Sequence, residues 1–87
     1  SAFLEIACFN LNSCIIAEKS GAHRIEFCSN YKSGGVTPND YDIIEIKNKI
    51  RIPVHVIIRP RGGNFIYTEG EIEEMKRSIL LCKQNNI

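Results

Sequence analysis

Two periodicities alternate along this chain. Three short stretches carry side chains that switch between apolar and polar at every residue or are rich in β-branched types: Phe3–Cys8 (FLEIAC), His23–Cys28 (HRIEFC), and a run through Val54, Val56, Ile57 and Ile58 that stops at Pro60. β-Branched residues suit a pleated surface, and proline cannot donate to a ladder, so these read as strands. Each is followed by a stretch with three-four spacing. Asn10 caps a helix from Leu11 to about Ser20, with Leu11, Cys14, Ile15 and Glu18 on one face and Gly21 closing it. Thr37 is the expected cap of a second helix, with Pro38 in its first position and Ile43, Ile46 and Ile50 as its buried stripe. Thr68-Glu69-Gly70-Glu71 spells a capping box for a third, with Ile72, Met75, Ile79 and Cys82 on the buried face and Asn85-Asn86 ending it. Strands alternating with helices predict right-handed βαβ crossovers and a parallel sheet, hence an α/β fold.

Parity along the strands adds the first chemical signal. Successive side chains point to opposite faces. Leu4, Ile6, Cys8, Ile25, Phe27, Val54, Val56 and Ile58 make one face apolar, suited to helices. The other face gathers Glu5, Arg24, Glu26, His55 and Arg59, with Cys28 at its upper end. An open sheet covered by helices on both faces has no place for such a row, whereas a barrel points it at the axis, where charges pair. Two readings of these residues stay open: a structural ion-pair network, or the floor of a polar ligand site with Glu26 and His55 as acid and base.

A second signal is the stretch HVIIRPRGGNF, residues 55–65, where strand becomes loop. Strand ends followed by loops are where parallel α/β proteins hold ligands. Arg59, Arg61 and the Gly62-Gly63 backbone offer a guanidinium fork and N–H groups to a small anion, with Arg24 and Glu5 on the neighbouring face. The plainer reading is a tight turn whose arginines pair with carboxylates.

Composition narrows the picture. The 87 residues allow one domain, residues 1–87, and 44% hydrophobic with 24% charged content is globular. A net charge of +1 without a basic cluster argues against a dedicated nucleic-acid or membrane-surface protein, and no apolar run approaches a membrane span. No signal-peptide pattern is visible. Cys8, Cys14, Cys28 and Cys82 have no zinc-site spacing and are expected as cytoplasmic thiols, with Cys14 and Cys82 in the core.

Four blocks, LEIACFNLNSC, SGAHRIEFCSN, GGVTP and IPVHVIIRPRGGNFIYTEGEIEEMK, resemble the CutC copper homeostasis family from about Phe3 to the last residue. The resemblance implies a (β/α)₈ TIM-type barrel, cytoplasmic, associated with copper. Such a barrel takes about 250 residues, so the chain is expected to be an N-terminal fragment of about three of the eight units. The family's blocks fall on Arg24, Ile25, Glu26 and Cys28, and on His55, Arg59, Pro60, Arg61, Gly62, Gly63 and Phe65. Asn64 stands where the family usually has aspartate, His23 where aspartate is common, and Ala7 where many members have cysteine. Two functions follow: a copper-binding protein using Cys28 with Cys8, since Cu(I) prefers thiolates, or a barrel that holds a small anionic metabolite on Arg59, Arg61 and Gly62-Gly63. Two open sheet edges also predict self-association into a homo-oligomer.

Overall fold

The computed structural model describes residues 2–87, with element order β1 (Glu5–Cys8), α1 (Leu11–Lys19), β2 (Arg24–Phe27), a 3₁₀ turn (Tyr31–Ser33), α2 (Asp40–Lys49), β3 (Val54–Val56) and α3 (Glu69–Gln84). The sheet is parallel, in the order β1-β2-β3. This is the expected alternation. The strands are shorter than expected, because pairing needs a partner of matching length. β3 ends at Val56, and its last ladder bond is Ile57 N–H to the Phe27 carbonyl at 2.9 Å.

Register fixes the faces. Glu5 pairs with Arg24, and Ala7, Glu26 and His55 form one row across the sheet. Ile6, Ile25 and Val54 form the row before it, and Cys8, Phe27 and Val56 the row after it. The apolar rows face the helices. Ile25, Phe27 and Cys14 are fully buried, joined by Cys8, Ala17, Ala22, Ile46 and Ile50 in one core. Each such Ile or Phe contributes roughly 1.5–3 kcal/mol by leaving water.

The caps follow local hydrogen-bond competition. Asn10 accepts from Ser13 N–H at 2.8 Å, and Thr68 with Glu71 completes the capping box on α3. The second cap is corrected: Asn39, not Thr37, starts α2, accepting from Asp42 N–H at 2.8 Å. Thr37 is taken elsewhere, since its hydroxyl accepts from Arg59 N–H at 2.8 Å and donates to the Arg59 carbonyl at 3.1 Å. The α3 stripe is corrected too. Cys82 is buried, but Ile72 and Ile79 are 42% and 46% exposed, because α3 packs chiefly on α2 and leaves an open cleft toward the edge strand β3. No helix among the described residues is long and apolar enough to cross a membrane.

Candidate functional site

The strand C-termini carry the chemistry, and three loops meet there: 9–10 after β1, 28–39 after β2 and 57–68 after β3. The 28–39 loop doubles back on itself. Ser29 and Val36 bridge antiparallel through two 2.9 Å bonds, and the 3₁₀ turn fills the space between. Asn30 holds the turn by accepting from Ser33 N–H, and positive φ at Gly34 and Gly35 (82° and 99°) lets the chain return.

Arg59 joins two of these loops. Parity from β3 assigned it to the polar face with Glu5, Arg24, Glu26 and His55; it lies instead beyond the end of the strand, where alternation no longer holds. Its Nη1 donates to the Ser33 and Gly35 carbonyls at 3.0 and 3.3 Å, and its Nη2 to the Gly63 carbonyl at 2.9 Å. The guanidinium lies over the Phe65 ring, 4.8 Å from the centroid. Its Nε–H is buried with no acceptor.

Arg61 is committed more completely. Nε meets Glu71 Oε2 at 2.5 Å, Nη2 meets the Ile66 carbonyl at 2.7 Å, and Nη1 meets the Gly62 and Asn64 carbonyls, both at 3.1 Å. An anion on this fork has to displace Glu71, whose carboxyl is held below its ordinary range by the Thr68 N–H first and by Arg61 second. The Gly62-Gly63 turn faces Ser33 and Arg61 closely: a Cβ on Gly62 would stand 3.0 Å from the Ser33 side chain.

On the polar face, Glu5 and Arg24 form an ion pair at 2.6 Å, each about a third exposed. Arg24 also lies over the Phe3 ring, which stacks on His23. Glu26 and His55 are neighbours in register, and no hydrogen bond joins them among the described residues. His55 is exposed. The five residues read from parity thus divide into one pair, one neighbouring couple and a separate arginine.

The thiols come closer together than parity alone placed them. Cys8 and Cys28 are both 2% exposed and Cys14 is fully buried. Cys28 follows the last residue of β2, so its side chain is freed from the strand's alternation and turns inward, Sγ donating to the Cys8 carbonyl at 3.5 Å. Burial pushes all three thiols up. Cys14 reaches about 12, with Cys8 and then Cys28 nearby adding to the effect, and Cys28 is raised further by Glu26 and Cys8. All four cysteines are free thiols. Soft sulfur donors suit Cu(I), but among the described residues no group of three or more His, Cys, Asp or Glu is arranged to hold a metal ion. The plainer reading, arginines paired with carboxylates, holds for Arg61 on Glu71, but the sequence did not single out which residues serve as partners. Thr37 and Glu71 had already been assigned to helix caps, and the carbonyls of Ser33, Gly35 and Gly63 carry no side-chain signal.

A parallel β/α chain with its polar groups at the strand C-termini is the architecture of the wound and barrel α/β proteins. The sequence pattern of the CutC family matches residues 2–87, and the chain belongs to that family. A CutC protein of Salmonella heidelberg (strain SL476) is 45% identical over 83 residues, which is 95% of this chain and 34% of the relative. One from Proteus mirabilis (strain HI4320) is 46% identical over 82 residues, 94% of this chain and 33% of the relative. The crystal structure of a CutC protein from Streptococcus agalactiae, named for copper homeostasis, superposes with a TM-score of 0.83 at 35% identity, covering 97% of this chain and 42% of that one. The chain spans about a third of the length of the curated relatives it matches.

Proposed function

We propose that this chain contributes the first three units of a cytoplasmic TIM-type barrel that handles copper, with Cys28 and Cys8 as a two-thiolate Cu(I) pair. The observation that carries the reading is the approach of Cys28 to the C-terminal end of β1, its Sγ donating to the Cys8 backbone carbonyl at 3.5 Å, with both thiols buried. Family membership supports it, since the relative of known structure is named for copper homeostasis. Soft thiolate sulfur favours a soft, singly charged ion. Raised thiol pKa values make binding a proton exchange, so affinity climbs with pH. The anion reading keeps one argument, the buried Arg59 Nε–H without an acceptor.

Titrating the reduced protein with Cu(I) against a competing chelator tests the proposal. Binding at one ion per chain is expected, weakened at least tenfold by Cys28→Ser and by Cys8→Ser, and tighter at pH 8 than at pH 6. Unchanged affinity in Cys28→Ser overturns it. The open β3 edge and the exposed α3 stripe add self-association to the proposal. Light scattering is expected to give a mass above 9.9 kDa that rises with concentration.

A further inference from the structure

We infer that Arg59 is a positioning residue: a guanidinium latch that holds the 30–37 loop shut over the Cys28 thiol and so sets access to it. For what reaches the thiol, the inference rests on the copper reading above; the latch itself rests on geometry alone. Gly35 is the cover. It is buried, and a Cβ built on it would stand 3.5 Å from Cys28 Sγ and 3.6 Å from the Phe9 ring, so its backbone faces the thiol with space for no more than a methyl group between them. Nothing in the Gly35 side chain secures that position, because there is none. The Arg59 guanidinium secures it from outside, gripping the carbonyls of Ser33 and Gly35 with one nitrogen and that of Gly63 with the other. Its backbone is pinned in turn to Thr37, at the far end of the same loop, by Thr37 N–H to the Arg59 carbonyl at 2.9 Å and by the Thr37 hydroxyl. Gly62 lies close to Ser33 from the third loop, where a Cβ would stand 3.0 Å from the Ser33 side chain and push it back. Charged donors on carbonyls are the stronger class of hydrogen bond, so removing them loosens the loop.

The closed arrangement also holds a reason to open. The buried Arg59 Nε–H has no acceptor, and opening returns it to water. Cys28 is 2% exposed, so any copper donor or thiol reagent needs the loop displaced. Among the described residues, Arg59 is the one side chain with hydrogen bonds to both the cover and a carbonyl of the 57–68 loop.

Pulse alkylation with iodoacetamide, resolved cysteine by cysteine through peptide mass spectrometry, tests the latch. Arg59→Met is expected to label Cys28 at least tenfold faster than the parent, with Cys14 and Cys82 unchanged as internal reporters of the fold. Arg59→Lys, which keeps the charge but cannot grip both loops, is expected to fall between. Gly62→Ala leaves Arg59 intact and pries the two loops apart at Ser33, and is expected to speed Cys28 several-fold. If Arg59→Met unfolds, all four thiols react together, and Arg59→Lys and Gly62→Ala then carry the test under the same criterion. A Cys28 rate that stays in its parental ratio to Cys14 in the folded variants overturns the inference. Failure of the parent protein to bind Cu(I), with the labelling differences intact, sinks the copper reading and leaves the latch standing.

Discussion

The helices α2 and α3 carry the same kind of stripe and meet different fates. Ile43, Ile46 and Ile50 are 0%, 0% and 4% exposed, while Ile72 and Ile79 are nearly half exposed and only Ser78 and Cys82 of α3 are buried. The α3 periodicity is no weaker. What differs is the ground beneath. α2 covers a sheet that continues on both sides, whereas α3 lies over the outer edge of β3, where no further strand is paired among the described residues. A stripe specifies the face a helix offers; the number of neighbouring strands decides how much of it is covered. The largely apolar cleft between β3 and α3, lined by Val54, Val56, Ile58, Ile79, Cys82 and Ile87 together with His55 and Lys83, is the visible consequence, with a volume of about 380 Å³.

The sharpest way to break that comparison is truncation on each helix. Ile46→Ala is expected to cost about 2–5 kcal/mol, a lost side chain plus a cavity in closed packing. Ile79→Ala is expected to cost less than about 1 kcal/mol, since water already reaches half of it. Urea unfolding of both variants decides this. Equal losses would mean that α3 is covered in solution, by a second copy or by further chain, and concentration dependence of the Ile79→Ala midpoint separates those two cases.

How much of this was legible in the sequence follows from the same contrast. The strands, the helices, the α3 capping box and the α2 stripe were readable because each depends on neighbours within a few residues. Within the paired residues, the face each side chain takes followed from parity. Thr37 was misread because a threonine before a proline is a good cap in isolation, and its competing partner, the Arg59 backbone, lies 22 residues away. Arg59 was misread because alternation was carried past the last paired residue of β3. The arginine fork was left open between an anion and carboxylate partners: Arg61 does pair with a carboxylate, Glu71, but the remaining acceptors of Arg59 and Arg61 are largely backbone carbonyls, which every residue has and no pattern marks.

A second, smaller effect separates the closed side from the open side by pH. Cys14 sits in the sealed core with its pKa raised from 9.0 to about 12, chiefly by burial. The folded state therefore holds this proton more tightly than the unfolded one. The contribution is whole below about pH 9 and is lost as pH rises toward 12, by roughly 4 kcal/mol at the most if three units are fully expressed. Stability measured at intervals from pH 8 to pH 11 is expected to fall, with a visibly flatter decline in Cys14→Ala. An identical slope in that variant would mean that the core around Cys14 admits water. Cys82, on the open side, is also raised by burial, so Cys82→Ala probes the same slope for α3.

The smallest expected effect concerns what ties the two helices together. Arg77 and Asp40 meet in a paired contact at 3.0 and 3.2 Å, joining α3 to the first turn of α2 beside the cleft formed by Pro38, Tyr41, Pro60, Met75 and Ser78. Both side chains are more than half exposed. Exposed pairs gain little over their separate hydration and are screened by salt. Asp40 also sits at the positive end of the α2 dipole, so Asp40→Asn removes two small favourable contributions while Arg77→Met removes one. The expected order of urea midpoints is parent, then Arg77→Met, then Asp40→Asn, with the parent's margin over Arg77→Met disappearing in 1 M salt. If Arg77→Met instead drops the midpoint by as much as Ile46→Ala does, at any salt, then α3 is held to the domain by this bridge rather than by Cys82 and Ser78. The exposed stripe would then belong to a helix that swings on a single ionic hinge.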